Sequence, residues 1–296
     1  MIAIDLGSNT IRFLALDENA NALWGKQFVT RTAENLARSG EIGRKALERV
    51  AAAISAAKAE FDFSPHKIVA VATEAFRQAT NQKAALEFLH DRCGVDFEVI
   101  SPCVEAKLTA IAASQSASQS GLKPPFITLD IGGASSEAAY IDGDIFRFVS
   151  LPIGIVTLAE RAFNDDELHR FLDGALSMVA DFESQIADLS AANALIAVSG
   201  VPTTLAAIKL GLTHETYDKR IVNGAELSLA EIAATRKLLQ SLNARDLERL
   251  TGKDRGDLMI TGAVMLARFM RSLKYESAKV FDEGLREGVA INALSR

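Results

Sequence analysis

The stretch "MIAIDLGSNT" (residues 1–10) decides how this sequence is read, because a near copy, "FITLDIGGAS", occupies residues 126–135. Each is a short apolar run followed by Asp, an aliphatic residue, Gly and a small polar loop. A strand that ends this way leads into a turn whose backbone N–H groups can gather around one bound oxyanion. Gly7, Gly132 and Gly133 carry no Cβ, so phosphate oxygens can approach the main chain closely. Ser8, Asn9, Thr10, Ser135 and Ser136 add side-chain donors. One such loop is an ordinary hairpin turn. Two of them, at the heads of two similar stretches, predict a duplicated phosphate-binding unit.

Working outward, the pattern around each copy repeats as well. Strand-like runs at 2–6, 11–16 and 23–30 precede a helix-period stretch over 45–60, the buried-strand run "KIVAVAT", and a helical "AALEFLHDR". The strand "VDFEVI" and a helix over 104–114 complete the first half. The polar, small "SQSASQSGLKPP" then marks the best boundary, at 115–125. After it come the strands "FITLDI", "SEAAYIDG" and "DIFRFVSL", with Asp142-Gly143 as a hairpin turn. Helical patterns fill 165–189, 229–242 and 255–273, broken by the buried strand "ALIAVSG". A last strand, "AKVF", runs into a final helix over 285–294.

With 296 residues the chain can bury two cores. Its net charge of -6 and the lack of a Lys/Arg cluster argue against nucleic acid as a partner. No apolar stretch is long enough to span a bilayer, and no basic segment leads into an apolar one at the start, so the expected location is the cytoplasm. The 2 cysteines and 4 histidines show no metal-ligand spacing.

The paired loops resemble those of the actin-like ATPase superfamily, and nearly the whole chain resembles the exopolyphosphatase/guanosine pentaphosphatase (Ppx/GppA) family. "AIDLGSNTIRFL" is similar to that family's first phosphate motif, and "ATEAFRQATN" to its Ala-Thr-x-Ala-x-Arg-x-Ala-x-Asn signature, with Thr73, Arg77 and Asn81 at the matching places. "VEAKL" stands for Glu-Glu-Ala-Arg-Leu, "LDIGGASSE" for Asp-Ile-Gly-Gly-Gly-Ser-Thr-Glu, and "EGLREGV" for the C-terminal motif. The resemblance implies an α/β fold of two duplicated actin-like (ribonuclease H-like) domains with a phosphate-binding cleft between them. The first would span 1–120 and be joined by the C-terminal helix at 284–296; the second would span 121–283.

It also implies roles. Glu105 matches the catalytic glutamate that activates water, and Asp130 and Glu137 match the acids that bind Mg²⁺. Arg12 and Arg77 would offer fork-shaped donors to phosphate oxygens. Gly7, Ser8, Asn9, Thr10, Thr73, Gly132, Gly133, Ala134 and Ser135 would line the phosphate site. Glu74, inside the signature, receives no role. The implied reaction is Mg²⁺-dependent removal of the terminal phosphate of inorganic polyphosphate, or hydrolysis of guanosine pentaphosphate; a non-catalytic sensor and a small-molecule kinase are the readings from other classes. A homodimer is an allowed assembly. Three departures stand out. Val104 replaces a glutamate, Ala134 a glycine with an expected reshaping of the loop, and "VSGVPTTLAA" a Gly-Gly-Thr segment, which weighs against guanosine recognition.

Overall fold

The structure, a computed structural model, describes residues 1–161, 164–187 and 189–294. Contacts divide the chain into two compact units, one of residues 1–112 with the helix that begins at Leu285, the other of residues 113–284.

The first unit opens with an antiparallel meander, β1 (Ile2–Leu6), β2 (Thr10–Leu16) and β3 (Ala22–Val29). Next come α1 (Leu36–Ser39), α2 (Arg44–Glu60), β4 (Ile68–Ala72), α3 (Glu74–Gln78), α4 (Gln82–Cys93), β5 (Phe97–Val99) and α5 (Pro102–Gln119). The strand order is β3-β2-β1-β4-β5, with β1, β4 and β5 parallel. "IAIDL" is buried along its whole length, as expected of a strand covered on both faces.

The second unit repeats the plan. Its meander is β6 (Phe126–Ile131), β7 (Ser136–Asp142) and β8 (Ile145–Leu151). Then follow α6 (Ile155–Arg161), α7 (Asp165–Ile186), β9 (Ala194–Val198), α8 (Gly200–Lys209), α9 (Lys219–Val222), β10 (Ala225–Ser228), α10 (Leu229–Ser241), α11 (Ala244–Thr251), α12 (Gly256–Ser272) and β11 (Ser277–Val280). Its sheet runs β10-β11-β9-β6-β7-β8, with β6, β9 and β11 parallel. Taken from the other edge, β8-β7-β6-β9-β11 matches the first sheet position for position, and β10 is an added edge strand. The molecule is therefore α/β with two duplicated actin-like domains.

The last helix, α13 (Leu285–Leu294), packs on β1, β2 and β4. Its Leu285, Val289 and Ala290 join Ala3, Leu14, Leu16, Val71, Ile100 and Leu108 in one core. Gly288 makes that approach possible, because a Cβ there would run into the Leu108 carbonyl of α5.

Two expectations need correction. The helix expected to end at 114 continues to Gln119, because Ala113 and Ala117, one turn apart, are buried against Phe126, Ile196, Val198 and Phe281. Of the polar residues that suggested a break, Gln115, Ser118 and Gln119 are exposed, while Ser116 is buried with the alanines. The segment "SGVPTTLAA", which stands for Gly-Gly-Thr, leads into α8, whose Val201 lies in the core and whose Pro202 occupies the first turn, where its missing N–H costs nothing. The expected helix 165–189 ends at Ile186, and position 188 lies outside the described residues.

The turn into α8 carries local strain. Ser199 has φ 81 and ψ -177, a conformation that normally belongs to glycine and costs about 1–3 kcal/mol for other residues. Its Oγ is held at both ends by one residue, accepting from the Ile131 N–H at 3.2 Å and donating to the Ile131 carbonyl at 3.0 Å. This ties the end of β9 to the end of β6.

Ser199→Gly, which relieves the backbone while losing the tie, is expected to leave thermal stability near that of the parent. Ser199→Ala, which keeps the strain and loses the tie, is expected to lower Tm clearly; equal Tm values for the two variants would contradict the account. Gly288→Ala is expected to cost about 1–3 kcal/mol in chemical denaturation, as overpacking typically does.

Candidate active site

In each unit the candidate residues gather at the carboxyl ends of parallel strands, three in the first unit and two in the second, where α/β sheets commonly bind ligands. In the first unit these are the ends of β1, β4 and β5, which lead into Gly7, Thr73 and Ile100. In the second, the ends of β6 and β9 lead into Gly132 and Ser199.

The two glycine loops close the same way. Gly7 N–H donates to the Thr10 carbonyl at 2.9 Å, and Gly132 N–H to the Ser135 carbonyl at 3.0 Å. Each loop is then latched by the segment that follows its meander. The Ser8 carbonyl accepts from Ala33 N–H, and the Asn9 carbonyl from the N–H groups of Thr30 and Arg31. The Gly132 carbonyl accepts from Ile155 N–H, and the Gly133 carbonyl from those of Val156 and Thr157. Because C=O and N–H of a trans peptide point in opposite directions, latching the carbonyls turns the N–H groups of Asn9, Gly133 and Ala134 the other way. Gly154 permits the second latch, since a Cβ there would overlap Gly133 and Ala134 N. Ala134 is buried and its φ is not positive, so its Cβ adds no backbone strain, contrary to the concern the sequence raised.

The strand registers set charged residues opposite one another. Asp5 faces Arg12 across β1 and β2, and Asp130 faces Glu137 across β6 and β7. Opposed residues share one face of a sheet, with Cβ atoms about 4.5–5.5 Å apart. In the first unit the pair joins an acid with a base. Arg12 Nε is buried with no hydrogen-bond partner among the described residues, a donor suited to a phosphate oxygen. In the second unit the pair joins two acids, with Glu137 only 4% exposed and accepting from Ser150 Oγ at 2.8 Å. Two carboxylates on one face suit a hard cation that completes its shell with water and substrate oxygens. Among the described residues, no group of three or more His, Cys, Asp and Glu side chains is placed to hold a metal ion.

Glu105 lies in the first turn of α5 and is 8% exposed. Arg77 Nη1 donates to Glu105 Oε2 at 2.7 Å and to the Ile100 carbonyl at 2.8 Å. Arg77 Nε donates to Glu74 Oε2 at 2.7 Å, and Gln78 Nε2 donates to Glu74 Oε1 at 2.8 Å. Burial alone would lower the Arg77 pKa, but the charges of Glu105 and Glu74 outweigh it and hold the guanidinium above its ordinary value. Arg77, expected to face phosphate, is thus turned in this structure toward two carboxylates. Thr73 is buried beside the first loop, its N–H donating to the Leu6 carbonyl at 3.3 Å. Asn81, the last residue of the signature, is structural: its side chain accepts from Ile42 N–H and donates to the Ile42 carbonyl, both at 3.0 Å.

Unit by unit, the structure brings Gly7, Ser8, Asn9, Thr10, Arg12, Thr73, Arg77 and Glu105 together in the first, and Asp130, Gly132, Gly133, Ala134, Ser135 and Glu137 in the second. Sequence reasoning missed Glu74, Ser150 and Ser199. For Glu74, an i, i+3 spacing from Arg77 was a visible signal; for the two serines only the fold supplies one.

Comparison with known proteins agrees. The model of the Ppx/GppA phosphatase family matches residues 18–296. An "Exopolyphosphatase 1" of Mycobacterium leprae is 27% identical, covering 98% of this chain and 88% of that protein. A "Guanosine-5'-triphosphate,3'-diphosphate pyrophosphatase" of Vibrio parahaemolyticus is also 27% identical, covering 97% of this chain but 58% of that one. The crystal structure of an exopolyphosphatase from Cytophaga hutchinsonii has the same fold, with a TM-score of 0.84 at 22% identity over 99% of this chain and 97% of that one. With its duplicated actin-like domains and its loops at the strand ends, the chain belongs to the Ppx/GppA phosphatase family, and it is an enzyme that hydrolyses phosphoric anhydride bonds.

Proposed function

We propose that this enzyme removes the terminal phosphate of inorganic polyphosphate with the help of Mg²⁺. The observation that carries the reading is Glu105, a buried carboxylate held by Arg77 in the same unit as a phosphate loop. Water is a weak nucleophile toward a polyanion. Glu105 orients it and takes its proton as the new P–O bond forms at the terminal phosphorus. The bridging P–O bond breaks, and the electron pair leaves on the shortened chain; the products are orthophosphate and polyphosphate one unit shorter. In the first unit the outward N–H of Asn9 and the Arg12 guanidinium are donors suited to the charge that develops on phosphate oxygens. Asp130 and Glu137 would hold the Mg²⁺, which supplies charge neutralisation at the phosphates when bound.

Two observations favour polyphosphate over guanosine pentaphosphate. The relative named exopolyphosphatase matches over 88% of its own length, against 58% for the one named for the guanosine nucleotide. Val201 is also packed into the core, so the first turn of α8 does not offer that side chain to a ligand.

Phosphate release measured side by side on the two substrates is expected to favour polyphosphate; faster release from guanosine pentaphosphate would reverse the assignment. Glu105→Gln keeps the size and loses the charge, so kcat is expected to fall by about 10²–10⁴ with binding retained. Turnover at the parental rate would remove Glu105 from the reaction. Asp130→Ala is expected to keep the metal-free Tm, since it removes one of two opposed acids, and to abolish both Mg²⁺-dependent turnover and the rise in Tm on Mg²⁺ titration. Parental turnover and Mg²⁺ response in that variant would take Asp130 out of the metal site.

A further inference from the structure

Arg77 is anchored by three separate pieces of the chain. Its Nη1 meets Glu105 on α5 and the Ile100 carbonyl at the end of β5, while its Nε edge meets Glu74 on α3. The distances are short, 2.7–2.8 Å, and the side chains of Glu74, Arg77 and Glu105 are 14%, 15% and 11% exposed. A guanidinium is a flat fork with donors on two edges, and a carboxylate that can reach two of its nitrogens prefers the bidentate arrangement. Here Glu74 accepts from Nε through Oε2, Nη2 lies 2.6 Å from the same atom as an ion pair without a hydrogen bond of its own, and Arg77 donates to Glu105 through Nη1. Glu74 is itself fixed, because Gln78 holds its other oxygen from one turn further along.

We infer that Glu74 is a positioning residue for the hydrolysis: it holds the Nε edge of Arg77 so that the guanidinium grips Glu105 by one nitrogen, and thereby sets the direction in which Glu105 meets water. The inference rests on the reading of Glu105 as the water-activating group. Without Glu74, a buried guanidinium edge loses its acceptor, and the nearest remedy is for Arg77 to rotate onto Glu105 as a two-nitrogen clamp. Glu105 would then be drawn into an ion pair and turned away from the water. An error of this kind, in a residue that never touches substrate, changes the rate of the chemical step more than the affinity.

The test is steady-state phosphate release by the full chain, using polyphosphate and guanosine pentaphosphate, for the parent, Glu74→Ala and Glu74→Gln, with Tm measured for each. Glu74→Ala is expected to lower kcat about 10- to 100-fold, as loss of an outer partner typically does, while KM stays within about threefold of the parent and the Tm change is modest. Glu74→Gln, which still offers an amide oxygen to Arg77 Nε, is expected to recover most of the lost kcat. Should Glu74→Ala not fold, Glu74→Ser, a second small side chain that cannot reach Arg77 Nε as a carboxylate does, carries the same comparison. Unchanged kcat in the alanine or serine variant overturns the inference, whatever happens to Tm, as does a rise in KM alone or a glutamine variant no better than alanine. A parent that turns over while the alanine variant keeps pace removes the role of Glu74 alone. A parent that releases phosphate from neither substrate removes the proposed reaction, and this role with it.

Discussion

Within each unit the candidate residues depend first on the latching of that unit's own glycine loop by its carbonyls. A loop of small residues at a strand end would otherwise sample many conformations, and each residue fixed costs about 1–2 kcal/mol of backbone entropy. Here Ala33, Thr30 and Arg31 in one unit, and Ile155, Val156 and Thr157 in the other, supply the N–H groups that hold the carbonyls. Each such bond is worth only about 0.5–1.5 kcal/mol net, but the set fixes the orientation of the peptide planes. The donors that remain therefore point one way before any anion arrives, which is what a charge-stabilising site requires. The contact between Gly154 and the Gly133–Ala134 peptide shows how closely the latch is fitted.

Duplication explains why two such loops exist, and the ladder registers show how the copies diverged. Asp5 and Asp130 end equivalent strands, and Arg12 and Glu137 stand opposite them in equivalent positions. One copy thus places a base beside its acid and can offer a cationic donor to phosphate. The other places two acids opposite one another. The copies thus differ in charge at one equivalent ladder position. Glu105, the carboxylate proposed to activate water, needs a third device, because a buried glutamate cannot be left to choose its own rotamer. Arg77 provides it, and its three contacts also join α3, the end of β5 and α5.

The sequence by itself determined the duplication, the strand-loop heads and the signature around Arg77, because local apolar periodicity and glycine placement are recorded in neighbouring residues. It also placed the buried strands closely: β1 and β6 occupy the residues expected. It misjudged α5, where serine and glutamine suggested a break while Ala113 and Ala117 were already spaced to bury one face. There side chains from distant strands outweighed local propensity. Only the tertiary structure decided that Asn81 braces the backbone of Ile42, that Ser199 ties β9 to β6, and that Glu74 shares Arg77 with Glu105. These are contacts between side chains and partners as far as 68 residues away, and no local pattern encodes which partner a donor will meet once the chain has closed on itself.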